Sequence, residues 1–180
     1  TGNIVFPGFT APKLLWIQDN KPELFKQVAK VLLPASYLGY YLTGEYFMDM
    51  SDAAGTSWLD VGNRCWSEYA LKASNMRSDQ MPKLLEGTQV ASSVSKFIAD
   101  ELGIPSGVSV VAGAGDNAAA ACGVGITKEG QGFVSIGTSG VLLTARDTYT
   151  PLANSAVHTF CHAIPKTWYQ MGVILSATDS

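Results

Sequence analysis

Hydrophobic residues recur along this chain at two spacings, and the places where the spacing changes divide it into elements. Leu14, Leu15 and Ile17 give one apolar side to a predicted helix, with Pro12 in its first turn and Thr10 placed as its cap. A second short helix is predicted from Pro22, with Leu24, Phe25 and Val28 on one face. Val31 to Pro34 reads as a short strand or an extended connector, because proline cannot sit inside a ladder. Ser36 is placed to cap the next helix, in which Tyr37, Leu38, Tyr41 and Leu42 stand at helical spacing and Gly44 lies just past the end. "EYFMDMSDAAGTSWLDV" predicts two strands around a turn at Ser51 to Gly55, and a short helix follows Ser67. Val94, Phe97, Ile98 and Leu102 form one face of a helix that Gly103 and Pro105 end.

"VSVVAG", Val108 to Gly113, is short and apolar enough for a strand buried on both faces. Beyond Gly125 the texture changes. "GQGFVSIGTSGVLLTAR" predicts two strands joined by a Gly-Thr-Ser-Gly turn, and Thr167 to Leu175 another strand. A domain change is therefore expected near residue 126.

Composition narrows the class. Of 180 residues, 47% are hydrophobic and 15% charged, which predicts a globular chain rather than a disordered one. A net charge of −3 without a basic block argues against nucleic acid as a partner. Without a long apolar run or a secretory leader, no membrane association and a soluble, cytoplasmic location are expected. Three widely spaced cysteines do not suggest a disulfide framework. "HTFCH", His158 to His162, lacks the second ligand cluster of a structural zinc site, so no protein-held metal is expected. The chain opens at Thr1 without Met and stops after an apolar run, so an internal segment of a longer protein is expected.

Two glycine loops carry the candidate chemistry. Gly113-Ala114-Gly115-Asp116-Asn117-Ala118 matches a dinucleotide fingerprint, G-x-G-x-x-G/A. Asp116 would then oppose a pyrophosphate at a helix N-terminus, and no acidic residue stands about 20 positions on. Asp116 also has a plain reading as an N-cap. A cap requires neither glycine, whereas a carboxylate that meets a ligand at a strand end requires a closely approachable backbone. In the second loop, Gly137-Thr138-Ser139-Gly140, glycines let amides turn to one concavity and two hydroxyls add donors, which suits phosphate oxygens. By itself it also reads as a hairpin turn. Lys13 and Trp16 read as a snorkelling lysine and a core tryptophan, Asp52 and Asp60 as turn and surface residues, and Cys122 as a small buried hydrophobe.

"GFTAPKLLWIQDN", Gly8 to Asn20, resembles the first signature of the FGGY carbohydrate kinases at Lys13, Trp16, Asp19 and Asn20. "SDAAGTSWLDV", "AGAGDNAAAACGVG", "SIGTSGVLL" and "FCHAIPKTW" extend the resemblance, in order, over essentially the whole chain. It implies an α/β chain of the ribonuclease H-like, actin-like ATPase fold, with residues 1–125 the later part of a sugar-binding domain and 126–180 the start of an ATP-binding domain. It implies a kinase that takes ATP and Mg²⁺ and phosphorylates a sugar, D-xylulose at its terminal hydroxyl, with ribulose, gluconate, fuculose and glycerol as rival acceptors. By the same resemblance Asp116 is the catalytic base, Asn117 joins it at the sugar, and Gly137, Thr138, Ser139 and Gly140 hold nucleotide phosphates. The small-residue segment from Ala118 to Gly125 would lie near the hinge. A homodimer is left open.

The family's first phosphate loop, its Met-His-Gly sugar segment, its adenine-binding glycines and its second signature do not occur in these 180 residues. Catalysis by the segment alone is therefore not expected. A nicotinamide-dependent dehydrogenase and a non-catalytic relative that only binds sugar or nucleotide stay as alternatives of other classes.

Overall fold

A computed structural model of the chain describes residues 1–178. Helix α1 (Thr10–Asn20) has Phe9 at its N-cap position, so Thr10 is its first helical residue and makes no side-chain cap bond. Helix α2 (Pro22–Phe25) is a single turn. Val31 to Leu33 forms no strand, and α3 (Pro34–Thr43) starts at Pro34, whose missing N–H costs nothing in a first turn. Ser36 is therefore inside α3 and buried rather than its cap, while Gly44 ends it at φ 80°.

The predicted hairpin at Ser51 is instead a strand and a helix. Strand β1 (Phe47–Asp49) pairs in parallel with β4 (Lys83–Leu85), and the buried carboxylate of Asp49 caps helix α4 (Met50–Ala54). Five residues are too few to show helical periodicity, and four of these five are buried. Strands β2 (Leu59–Asp60) and β3 (Cys65–Trp66) form a small antiparallel pair, and Ser67 caps α5 (Glu68–Ala73) as expected. Strand β5 (Val90–Ser93), helix α6 (Lys96–Leu102) and strand β6 (Ser109–Val111) follow, with β5 and β6 antiparallel. In α6 Ile98 is buried, but Phe97 and Leu102 are exposed. Val108 and Val111 are exposed as well, so β6 is not a strand covered on both faces.

Helix α7 (Asp116–Gly123) leads to a four-stranded antiparallel sheet in the order β7-β8-β10-β9. Its strands are β7 (Gly132–Ile136), β8 (Gly140–Arg146), β9 (His158–Cys161) and β10 (Trp168–Ile174), with Leu143 facing both Phe133 and Met171. "HTFC" is thus a buried strand. Strand β6, α7 and β7 make no parallel βαβ unit, which removes the structural context a dinucleotide fingerprint needs.

One hydrophobic cluster joins Met48, Met50, Ala53, Leu59 and Val61 to Ala118 and Ala121 of α7 and to Leu143, Phe160, Tyr169 and Met171 of the sheet. The alanines are what let α7 lie this close: Ala118 and Ala121 face the sheet with no exposure at all. The other face of the sheet carries Val134, Ile136, Leu142 and Ile174 exposed. A second cluster surrounds Trp58, whose indole N–H donates to the Ser74 hydroxyl at 2.7 Å. Trp16, by contrast, is exposed on α1 rather than in the core. No helix among the described residues is long and apolar enough to cross a membrane.

Candidate active site

Asp116 is the first helical residue of α7, and Gly115, at φ −61° and ψ 156°, holds the N-cap position. The carboxylate is therefore not the cap. Its Oδ1 accepts from the Asn117 backbone N–H at 2.7 Å and from Asn117 Nδ2 at 3.1 Å. The residue is exposed, and its Oδ2 has no described bond. A carboxylate in the first turn also lies at the positive end of the helix dipole, a favourable electrostatic position. The result is a carboxylate held by one oxygen and open at the other, a suitable shape for accepting a proton.

The two glycines before it have separate causes. Gly113 sits at φ +83° with open space around it, a conformation that side-chain-bearing residues adopt at a cost. Gly115 has ordinary dihedrals, but a Cβ there would stand 3.2 Å from Asp52 Oδ1. The backbone is bare because a second acidic segment lies against it.

That segment is the start of α4, which the sequence pattern hid. Asp49 Oδ1 accepts from the backbone N–H of Ser51 at 2.9 Å and of Asp52 at 3.0 Å. The Ser51 hydroxyl donates to the same Oδ1 and accepts from the Gly115 N–H at 2.8 Å. Two helix N-termini, those of α4 and α7, are joined through this hydroxyl. Asp52 in α4 is then partly buried between Asp49 and Asp116, and its carboxyl is pushed up to about 6, first by burial and then by the charges of Asp49 and Asp116. The surface role expected for Asp52 is corrected accordingly. An Asp placed just before a short run of small helix formers was the available signal. Asp60 keeps its turn role, with its carboxylate accepting from the Asn63 side-chain and backbone N–H groups, which holds it below the usual range.

Tyr169 of β10 lies under this group, wholly buried, its phenol pushed upward by burial first and then by Asp116 and other acidic neighbours. Tyr169 shares one hydrophobic cluster with Met50 and Ala53 of α4 and Ala118 and Ala121 of α7, so the sheet supports both helices.

The second loop, Gly137-Thr138-Ser139-Gly140, joins β7 to β8, as its pattern predicts. The Gly137 N–H donates to the Ser139 carbonyl at 2.9 Å and the Thr138 carbonyl accepts from Ala177 at 2.8 Å. Gly137, Thr138 and Ser139 are exposed, and neither hydroxyl has a described partner. The loop lies three residues along β8 from buried Leu143, about 10 Å at the rise of a strand, so it stands at the rim of the sheet whose centre supports α7. Cys122 on α7 is exposed, contrary to the small buried hydrophobe expected from the sequence, although it lies one turn on from buried Ala118. Among the described residues no group of three His, Cys, Asp or Glu side chains is arranged to hold a metal ion.

The same chain can be compared with known proteins. Residues 1–123 match the model of the FGGY family of carbohydrate kinases, N-terminal domain. A xylulose kinase of Escherichia coli (strain K12) is 51% identical over 99% of this chain and 37% of its own length. One from Lactococcus lactis subsp. lactis is 42% identical over the whole chain and 36% of its own length. Among solved structures, a "xyloylose kinase" from Brucella ovis superposes with a TM-score of 0.95 at 56% identity, covering 98% of this chain and 36% of that one. A glycerol kinase of Plasmodium falciparum with ADP, at 22% identity, shares the fold with a TM-score of 0.84 over 96% of this chain and 36% of that one. This chain therefore spans a little over a third of the length of these relatives. Its fold is that of the actin-like, ribonuclease H-like sugar kinases, and with the family match covering Thr1 to Gly123, the chain belongs to the FGGY family of carbohydrate kinases.

Proposed function

We propose that this chain is the part of an ATP-dependent sugar kinase that carries the catalytic base and one phosphate loop, and that the sugar is D-xylulose, converted to D-xylulose 5-phosphate. The observation that carries the reading is the Asp116 carboxylate: one oxygen held by Asn117, the other open, at the head of a helix whose small residues pack directly on the sheet. Xylulose as the acceptor rests on the 51% identity to a xylulose kinase across this whole chain.

In this reading Asp116 accepts the proton of the attacking sugar hydroxyl, and the Asn117 amide orients both the carboxylate and the sugar. Phosphoryl transfer proceeds through a loose transition state, so placing the hydroxyl in line contributes more than pulling its proton. The exposed hydroxyls of Thr138 and Ser139, carried on the loop from Gly137 to Gly140, receive phosphate oxygens of ATP. Among the described residues no three acidic, His or Cys side chains are grouped to hold a metal ion, so Mg²⁺ would enter with the nucleotide and would neutralise phosphate charge there. Residues 1–125 belong to the sugar-binding domain and 126–180 open the ATP-binding domain. Gly125, at φ +80°, suits the bend between them.

The test is phosphorylation of D-xylulose by MgATP in a polypeptide of the relatives' full length, with ribulose, gluconate, fuculose and glycerol as competitors. Turnover of another of these sugars in preference to xylulose would reassign the acceptor. Binding of NADH without ATP would remove the kinase reading altogether.

A further inference from the structure

Asp116 reaches its position through a contact far away in the sequence. Asp49 is almost fully buried, and its Oδ1 gathers three donors: the Ser51 and Asp52 backbone N–H groups and the Ser51 hydroxyl. Ser51 is itself buried. Having donated its proton to Asp49, its oxygen has lone pairs left, and one of them accepts the N–H of Gly115 at 2.8 Å across 64 residues. Gly115 is the N-cap residue of α7, and the next residue is Asp116. A buried charge polarises the hydroxyl, which strengthens the bond it accepts, as expected for hydrogen bonds chained in a low dielectric. Few arrangements are as constrained: Asp49 cannot shift without losing donors to a buried carboxylate, and Ser51 cannot rotate without breaking one bond or the other.

We propose that Ser51, anchored by Asp49, is a positioning residue for the phosphoryl-acceptor site: through the Gly115 amide it sets the first turn of α7 and hence the place and direction of the Asp116 carboxylate. This rests on the reading of Asp116 as the base. Asp49 and Ser51 touch neither the sugar nor the nucleotide in this scheme; they act through the backbone of α7. The same contact ties α4, which packs on β1, to α7, which packs on the sheet, so the two supports of the site are held in one relation. Small displacements matter here, because a misplacement of about 1 Å can cost on the order of 100-fold in rate.

The experiment is a kinetic cycle in a polypeptide of the relatives' full length, with D-xylulose and MgATP. Ser51→Ala removes the hydroxyl and should lower kcat about tenfold or more while the KM for ATP stays within about twofold. Ser51→Cys, of nearly the same shape and a weaker hydrogen-bonding group, should fall between the two. In an Asp116→Asn background Ser51→Ala should cost nothing further, because the residue it positions is already disabled. Backbone amide exchange at Gly115 should quicken in Ser51→Ala. Unchanged kcat in Ser51→Ala, or an equal loss in the Asp116→Asn background, overturns the proposal while leaving Asp116 as the base. Failure of both Ser51 variants to fold also overturns it, because Ser51 would then serve stability alone. Wild-type turnover by Asp116→Asn overturns the underlying reading instead, and the two failures are told apart by which variant shows them.

Discussion

The Asp52 carboxylate lies against Gly115, so close that a methyl group on Gly115 would meet Asp52 Oδ1 at 3.2 Å. This contact explains both the bare backbone before Asp116 and the raised pKa of Asp52, since the carboxyl loses water there and faces Asp49 and Asp116. A folded-state pKa of about 6, above the ordinary 3.8, means that the folded protein prefers the protonated form. The stabilisation is complete below about pH 3.8 and is lost as pH rises through 6. Asp52→Asn should therefore raise the thermal midpoint at pH 8, by about 2 to 4 °C for a screened contribution of about 1 kcal/mol, and leave it nearly unchanged at pH 4. Equal midpoints for the two proteins at pH 8 would count against this account.

Asp116 itself is exposed, and its described hydrogen bonds go only to its neighbour Asn117. Its removal should be felt in rate rather than in stability. Asp116→Asn is expected to lower kcat about 100- to 10,000-fold in a polypeptide of the relatives' full length, with a thermal midpoint within about 1 °C of wild type. A comparable loss of stability would place Asp116 in the scaffold.

Much of this geometry is visible in the residues, and the rest is hidden for specific reasons. The strands at Gly132 and Gly140 and the helix at Glu68 have enough length and punctuation to be read from pattern, whereas the helix that starts at Pro34 reads as capped by Ser36, which lies two residues past its start. Asp116 was legible as the charged residue at a strand-to-helix junction, although the cap falls one residue earlier, on Gly115. Helix α4 was not legible, because a single turn buried on most sides shows no amphipathic period. With α4 went Asp49, Ser51 and Asp52, whose importance comes from Gly115, a partner 63 or more residues away that no local rule connects to them. Strand β6 misled in the opposite way: a run of valines indicates a strand, but it does not indicate what covers it.

Arg64 and Glu86 form a two-pronged pair at 2.8 and 2.7 Å, with side chains only 12% and 19% exposed. Arg64 also donates to the Thr167 carbonyl at 3.2 Å and lies over the Trp168 ring, so the pair ties β3 and the β4 loop to the start of β10. Arg64→Ala would leave the Glu86 charge buried without its partner, at a cost of about 3 kcal/mol, a loss of roughly 6 to 12 °C in thermal midpoint. Arg64→Lys should recover less than half of this, because an ammonium cannot make the fork. Denaturant unfolding of the three proteins decides it, and a loss under 1 kcal/mol in Arg64→Ala would show the pair to be incidental.

Burial keeps the imidazoles of His158 and His162 below their ordinary pKa, against a weak upward pull on His162 from the Ile126 carbonyl. His162 takes the Ile164 N–H on Nδ1 at 3.2 Å and so gives its own proton from Nε2 to the Ile126 carbonyl at 3.1 Å. That pattern needs a neutral ring, since a protonated Nδ1 could not accept. The unfolded chain takes up protons near pH 6.5 and the folded chain only at lower pH, so the stability the neutral rings contribute is full above about 6.5 and is lost as pH falls through the folded values. Asp52 works the other way below pH 6, and its contribution must be removed for the effect to be seen cleanly. In an Asp52→Asn background, the urea midpoint should fall between pH 7.5 and pH 5, and His162→Gln, which can keep one donor and one acceptor, should flatten that slope. A midpoint in Asp52→Asn that is level across this range would mean that neither ring resists protonation, and the assigned tautomer of His162 would have to be abandoned.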